Sequence, residues 1–433
     1  MTAAPKSSLF RKTLHTLATL LITQGSTIAA GIATARAFGP SGKGVLALAF
    51  ILVTFAVTTG EGVKSAVAFQ IGREKRDSRA VWGAALKLIF GAAPIGTAVL
   101  LVLWRLQPAQ PAYLYAALAF PFALYVQSVG VLYLLRDRVE RINVQNTATI
   151  GAGVSIATLA LVTLVHASVA VLLAVWVASY VAATIWAASG VRELIGGAPI
   201  LRGGGLLRQQ VTFGSKISLS SNVTFLALRI DVFIVSAMLS PALLGIYTLA
   251  LASGEVLYNL SRAILWSSTG QVAMLEFENS AALCARIVRS IVAMQFAAGL
   301  ILFAFGPWLI DLVYGSRFAE SGSVLRLLLP GIIFYSADGM LSYFIAVRAG
   351  RPGLLLALEC VTLVLIAGIT FVSITRLGIY AGALGHTTAF LVSYALKATI
   401  FVRLSGLRAR DVLLPRLSDL PYALRSRLRV AGT

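Results

Sequence analysis

The chain has 433 residues, 58% of them hydrophobic and only 12% charged, and its mean hydropathy is +0.87. Soluble domains carry roughly 25% charged residues, so this composition excludes a water-covered globular protein and specifies one that lives in lipid. The formal net charge of +20 therefore has to be located before it is assigned to nucleic acid or to the membrane.

A helix needs about 20 apolar residues to cross the hydrocarbon core. That length predicts twelve spans, near 13–37, 43–71, 80–104, 112–134, 143–165 and 168–190, and then 211–239, 243–273, 286–313, 323–347, 353–375 and 379–403. The period-two alternation of a membrane β-barrel is absent. The first run is too long for a signal-peptide core and ends in Arg36, which marks a retained span. The layout is an all-α polytopic protein: a six-helix lobe over 1–191, a linker over 192–210, a second six-helix lobe over 211–404 and a basic tail over 405–433. Lys and Arg fall on every second connection, in Lys6, Arg11 and Lys12, in "REKRDSR" (Arg73–Arg79), in "RDRVER" (Arg136–Arg141) and in the tail. The positive-inside rule then places both termini in the cytoplasm. The charge needs no nucleic-acid partner. The tail adds attraction to anionic lipids, roughly 1 kcal/mol per basic residue near the surface.

Cysteine and histidine offer no chemistry. Cys284 falls in an expected cytoplasmic connection and Cys360 inside a span, so no disulfide is expected. His15, His166 and His386 are scattered, and neither a metal nor a resident cofactor is expected. The stretch "FGPSGKGVLALAF" (Phe38–Phe50) imitates a phosphate loop but fails its pattern. Ala37 stands where the first glycine belongs, and Gly44 where a magnesium-binding hydroxyl belongs. The stretch instead has an echo: Pro40, Gly44, Leu48 and Ala49 reappear as Pro241, Gly245, Leu249 and Ala250. Both copies lie between the first and second spans of their halves. They read as a tight outer hairpin in which a proline ends one helix and a glycine opens the next. Two six-span halves of the same orientation make a parallel repeat, an architecture used by transporters.

Through "ARAFGPSGKGVLALAF" and "LRIDVFIVSAMLSPALLGIYTLAL", together with twelve spans, the chain resembles the polysaccharide (O-antigen-type) flippases of the multidrug/oligosaccharidyl-lipid/polysaccharide exporter superfamily. The resemblance implies two lobes in a V around a central, cationic cavity, working by alternating access. It implies a polyprenyl-pyrophosphate-linked oligosaccharide as cargo, carried from the cytoplasmic to the outer leaflet. Lys43 departs from the family pattern, in which an aromatic is common there.

Charges inside spans are expensive and are functional candidates by default. Glu61 and Lys64 share a helical face, either as an anion site facing a cavity or as a self-neutralising pair. Arg229 and Asp231 are two apart and do not face each other, so each needs a partner on another span. Arg229 suits a phosphate, and Asp231 a counter-ion, a proton or sodium. The alternative is that both lock helices together. Glu255, Asn259, Arg262 and Trp266 form one polar stripe, for binding or for packing. Under the repeat, Arg262 matches Glu61, which suggests an ion pair between the lobes. Asp338 and Lys397 look isolated, His386 looks like a packing residue, and Lys216 is expected to snorkel. Trp82, Trp104, Trp176 and Trp308 lie near span ends, where interface belts form.

The candidate cargo-binding residues are therefore Lys64, Arg229, Asn259 and Arg262. The candidate coupling or inter-lobe ion-pair residues are Glu61, Asp231, Glu255 and Asp338, with proton or sodium as the coupling ion. An ion-coupled multidrug antiporter is the alternative. A membrane glycosyltransferase, polymerase or ligase is disfavoured by the absence of a large extramembrane loop and of a nucleophile-base pattern. The expected partners are the lipid-linked oligosaccharide, membrane lipids and polysaccharide polymerase machinery, with the protein itself a monomer.

Overall fold

The computed structural model describes residues 6–201 and 204–413, and most of the expected basic tail lies outside them. Among the described residues every regular element is helical: α1 Lys6–Ala68, α2 Ser78–Leu106, α3 Ala112–Leu135, α4 Val139–Ala148, α5 Ala152–Leu164, α6 Val169–Ile195, α7 Gly204–Met238, α8 Pro241–Met274, α9 Phe277–Tyr314, α10 Ala319–Tyr343, α11 Pro352–Leu377, α12 Ile379–Ser405 and α13 Ala409–Leu413. A π-helical turn, Phe69–Arg73, continues α1, and another, Phe344–Arg348, continues α10.

Among the described residues eleven helical segments are long and apolar enough to cross a membrane. The first of them, Ala18–Arg73, holds two of the expected spans, because Gly39 breaks α1 with φ 63° and ψ −165°. That positive-φ, extended-ψ conformation is open to glycine and strained for other residues. The break corrects the expected role of the proline. Pro40 follows the break and begins the second helix, as Pro241 begins α8 behind the Ser240 cap. A proline at the first helical position has no N–H to lose and its φ is already helical. The fifth expected span is built from α4 and α5, with a break at Thr149–Gly151.

The chain divides into two compact units, Met1–Phe225 and Leu226–Thr433, and α7 runs from one into the other. In each unit the fourth span is the central one. In the first unit α3 packs against α1, α2 and α6, and in the second α10 packs against α8, α9 and α12. Ala116, Ala117, Ala119 and Ala123 of α3 are buried; small residues let helix backbones approach where lipid supplies no hydrophobic drive. Outer helices leave large apolar side chains uncovered, including Phe90 and Ile95 of α2, Phe296 and Leu300 of α9, and Val364 and Phe371 of α11.

Arginines tie the connections at one end of each unit. In the first, Arg79 Nε donates to Ala198 O at 2.8 Å and Arg136 Nε to Leu194 O at 2.8 Å, while Arg138 pairs with Glu193 at 3.1 Å. In the second, Arg348 donates to Ala273 O at 3.2 Å and Leu275 O at 2.7 Å. Carbonyls at and beyond helix ends lack intrahelical partners and take such donors.

Two smaller expectations are corrected. Cys284 is not in a loop, because α9 starts earlier than its apolar core and buries it; both cysteines are free. Trp82 and Trp176 are packed inside the first unit, against Tyr125 and against Phe50 and Tyr180, so they are not interface-belt residues.

Candidate functional site

In the first unit, Lys64 Nζ lies 3.1 Å from Glu61 Oε1, with the two side chains 30% and 32% uncovered. Gln127 Nε2 also donates to that Glu61 oxygen, which orients the carboxylate. A cleft of about 520 Å³ lies where the π-helical turn after α1 meets the start of α7, lined by Phe69, Gln70, Glu74, Arg208, Thr212 and Lys216 among others. Phe69 stacks on Phe213 with centroids 4.9 Å apart. Beneath, Gln210 donates to Gln70 and to Val81 O, each at 2.9 Å. Lys216, expected to snorkel, lines this cleft.

The second unit concentrates the buried charge. Arg229 of α7 pairs with Glu255 of α8, and the side chains are 24% and 35% uncovered. Asp231, two residues on, points elsewhere and is fully buried. Its Oδ2 accepts from Tyr247 OH and lies 2.9 Å from His386 Nδ1. The room for Tyr247 comes from Gly382, where an added Cβ would stand 2.8 Å from the ring Cζ. His386 also packs edge-on against Phe390 at 4.1 Å, and Phe390 stacks on Tyr335 at 3.8 Å. The histidine thus fills the packing role read from the sequence and holds a carboxylate as well.

Asp338 and Lys397 are not isolated. Lys397 Nζ lies 2.6 Å from Asp338 Oδ2 and 2.7 Å from Glu359 Oε1, joining α10, α11 and α12 in the interior. A fully buried ammonium persists only when paired, and here it has two carboxyls. Arg262 lies over Trp266 at 4.8 Å and Tyr258 at 5.7 Å, an arrangement that holds a guanidinium by cation–π attraction. Asn259 is uncovered on the same helix. The sequence reading missed Glu359 and Tyr247. Glu359 carried a signal, being a lone acid in an otherwise apolar span. Tyr247 carried none, since its partner lies on another helix.

The family model described as "Polysaccharide biosynthesis protein" matches residues 33–323. No curated protein matches the chain. Solved structures do. An inward-facing multidrug resistance MATE family transporter of the MOP superfamily is 16% identical with a TM-score of 0.68, over 88% of this chain and 95% of that one. The outward-facing conformation of a multidrug resistance MATE family transporter of that superfamily is 18% identical with a TM-score of 0.60, over 94% and 98%. A MOP superfamily transporter from Pyrococcus furiosus, described as having a binding pocket of reverse polarity, is 16% identical with a TM-score of 0.56, over 92% and 96%. With two thirds of its length inside the family model, this multi-pass membrane protein belongs to the polysaccharide biosynthesis protein family and has the fold of MOP superfamily transporters.

Proposed function

We propose that the chain is a flippase that moves a polyprenyl-pyrophosphate-linked oligosaccharide from the cytoplasmic to the outer leaflet by alternating access, for polysaccharide biosynthesis. The observation that carries this reading is which charges are sealed and which are left within reach. Lys64 and Arg229 are 30% and 24% uncovered and Arg262 is partly uncovered. The side chains of Asp231, Asp338 and Glu359 are 0%, 3% and 9% uncovered. The reachable acids, Glu61 and Glu255, are paired one to one with Lys64 and Arg229. The charge left over in this set is therefore positive and belongs to Arg262, which is held by ring faces and, among the described residues, by no carboxylate. A cationic drug needs free carboxylates, whereas a pyrophosphate needs accessible cations in a site that replaces its water.

In this reading, in the second unit, Arg229 binds the phosphate oxygens in a bidentate fork, Arg262 adds charge and Asn259 bonds sugar hydroxyls, while Lys64 is the cation of the first unit. Arg208 and Lys216 receive the headgroup at the basic end of the first unit. The protein acts as a monomer in a bacterial inner membrane with both termini cytoplasmic, beside the polymerase that consumes its product. It transports and does no covalent chemistry. The multidrug antiporter remains the second reading, on the strength of the fold shared with multidrug resistance transporters.

The test is flipping of a fluorescent polyprenyl-pyrophosphate oligosaccharide in proteoliposomes. A charge-assisted hydrogen bond is worth about 1.5–3 kcal/mol, so Arg229→Ala should slow flipping by about 10- to 100-fold. Full activity in that variant removes Arg229 from the site. Export of cationic dyes with no flipping supports the antiporter instead.

A further inference from the structure

Arg208, Gln209, Thr212, Phe213 and Lys216 recur at helical spacing along one stripe of α7, and that stripe walls the cleft beside the end of α1. Arg208 and Lys216 stand roughly 12 Å apart along the helix axis. Neither is paired with a carboxylate among the described residues. Glu74, the acid in the wall, lies 3.3 Å from Arg76, and Arg73 sits over the Phe69 ring at 5.7 Å. The cleft is therefore left with positive charge that its own wall does not balance. Its frame is fixed, because α1 and α7 meet backbone to backbone at Gly62 and Gly214 and Ser218 donates to Thr59 O at 2.7 Å.

Three glutamines aim a donor into the same space. Gln210 is fully buried, and its Nε2 lies 2.9 Å from Val81 O. A backbone carbonyl can only accept, so this contact fixes which end of the Gln210 amide is nitrogen. The same Nε2 donates to Gln70 Oε1 at 2.9 Å, which turns the Gln70 nitrogen toward Gln209 Oε1 at 3.4 Å. Gln210 Oε1 stays buried with no partner, so the direction of the chain is kept against the penalty of an unmet acceptor. The chain ends on Gln209 Nε2, which has no partner among the described residues and belongs to an exposed residue of the cleft wall. Amides bonded in series polarise one another, and here the polarised end is a donor. The Thr212 hydroxyl is turned away, donating to Arg208 O at 2.9 Å.

We infer that this cleft, built wholly within the first unit, is a pyrophosphate-binding site. Arg208 and Lys216 each hold oxygens of one phosphate group, and Gln209 Nε2 donates to the oxygens between them. Gln70 and Gln210 are positioning residues that hold the Gln209 amide donor-end outward. A cation entering the cleft meets only Glu74, which already has Arg76 beside it. Two linked phosphates give each base its own oxygens. A single phosphate, free or in the diester of a bulk phospholipid, leaves one base unmatched. That the pyrophosphate belongs to the cargo rests on the transport reading; the binding of the anion does not.

The experiment places a reporter in the cleft wall by Thr212→Cys in a Cys360→Ala background; the other cysteine, Cys284, is buried. Labelling of the full-length protein with N-ethylmaleimide in phosphatidylcholine vesicles is followed as pyrophosphate is added. Pyrophosphate should protect the reporter at concentrations about tenfold below those of orthophosphate. Gln209→Glu exchanges the donor for a carboxylate at an exposed position and should raise the half-protecting concentration about tenfold or more. Arg208→Ala with Lys216→Ala should do the same by removing the charge. Gln70→Met cuts the chain behind Gln209 and should weaken protection severalfold, with the labelling rate in the absence of pyrophosphate unchanged because the cleft keeps its shape. No protection by pyrophosphate, or protection unchanged by Gln209→Glu, overturns the site. Full protection in phosphatidylglycerol vesicles before any pyrophosphate is added gives the cleft to bulk lipid and overturns the assignment of the anion. Flipping without protection overturns the cleft site and leaves the transport reading standing, and protection without flipping of any lipid does the reverse.

Discussion

His386 and Tyr247 converge on one oxygen of Asp231, from α12 and α8 onto α7, with His386 Nδ1 at 2.9 Å. This three-helix junction is built of fully or almost fully buried polar groups, so its members are worth most as a set. Asp231→Ala strands the phenol and the imidazole together and should cost about 2–6 kcal/mol, since each orphaned buried group costs about 1–3 kcal/mol. Asp231→Asn keeps an acceptor and should cost less. Thermal unfolding in detergent checks the order; equal midpoints for the two variants would remove the junction from the account.

Gly382 serves that junction by leaving room for the Tyr247 ring. Gly382→Ala should destabilise by about 1–3 kcal/mol through overpacking. Combined with Tyr247→Ala, the cost should fall below the sum of the single changes, because the collision is gone. Strict additivity would place the glycine's role elsewhere.

Gly39 is the second backbone position with a definite requirement. Gly39→Ala forces a side chain into a positive-φ, extended-ψ conformation at a cost of about 1–3 kcal/mol, whereas Pro40→Ala should cost under about 1 kcal/mol. If instead the proline variant is the more damaging in unfolding experiments, the turn is held by Pro40 and not by the glycine.

The fold was legible because lipid imposes one rule, about 20 apolar residues per crossing, and because arginines and lysines mark alternate ends. The break at Gly39 was blurred because proline is a louder signal than a single glycine, and either reading satisfies the hydropathy. For the site, the pairing of Glu61 with Lys64 was visible because both lie on one helix, three residues apart. Lys397, Asp338 and Glu359 sit on three helices, and no spacing along the chain shows that they meet. Cys284 was misplaced because α9 extends past its apolar core into polar sequence, where composition alone suggests a loop.

Glu255 restrains Arg229 in the resting protein. Glu255→Gln should free the guanidinium and tighten inorganic pyrophosphate binding, while Arg229→Lys should recover only part of the wild-type affinity because an ammonium lacks the planar fork. Calorimetric titration with pyrophosphate reads both. Tighter binding in Arg229→Ala than in wild type would show that the arginine is a lock and not a ligand.

The central claim, that the cargo is anionic and lipid-linked, is tested most directly by a paired flipping assay in proteoliposomes. One lipid carries an oligosaccharide on polyprenyl pyrophosphate, and the other carries the same glycan on an uncharged polyprenyl ether. The account predicts flipping of the pyrophosphate lipid at least about tenfold faster, with the preference lost when Arg229, Lys64 and Arg262 are all neutralised. Equal flipping of both lipids, or transport of a cationic dye in place of either, would contradict it.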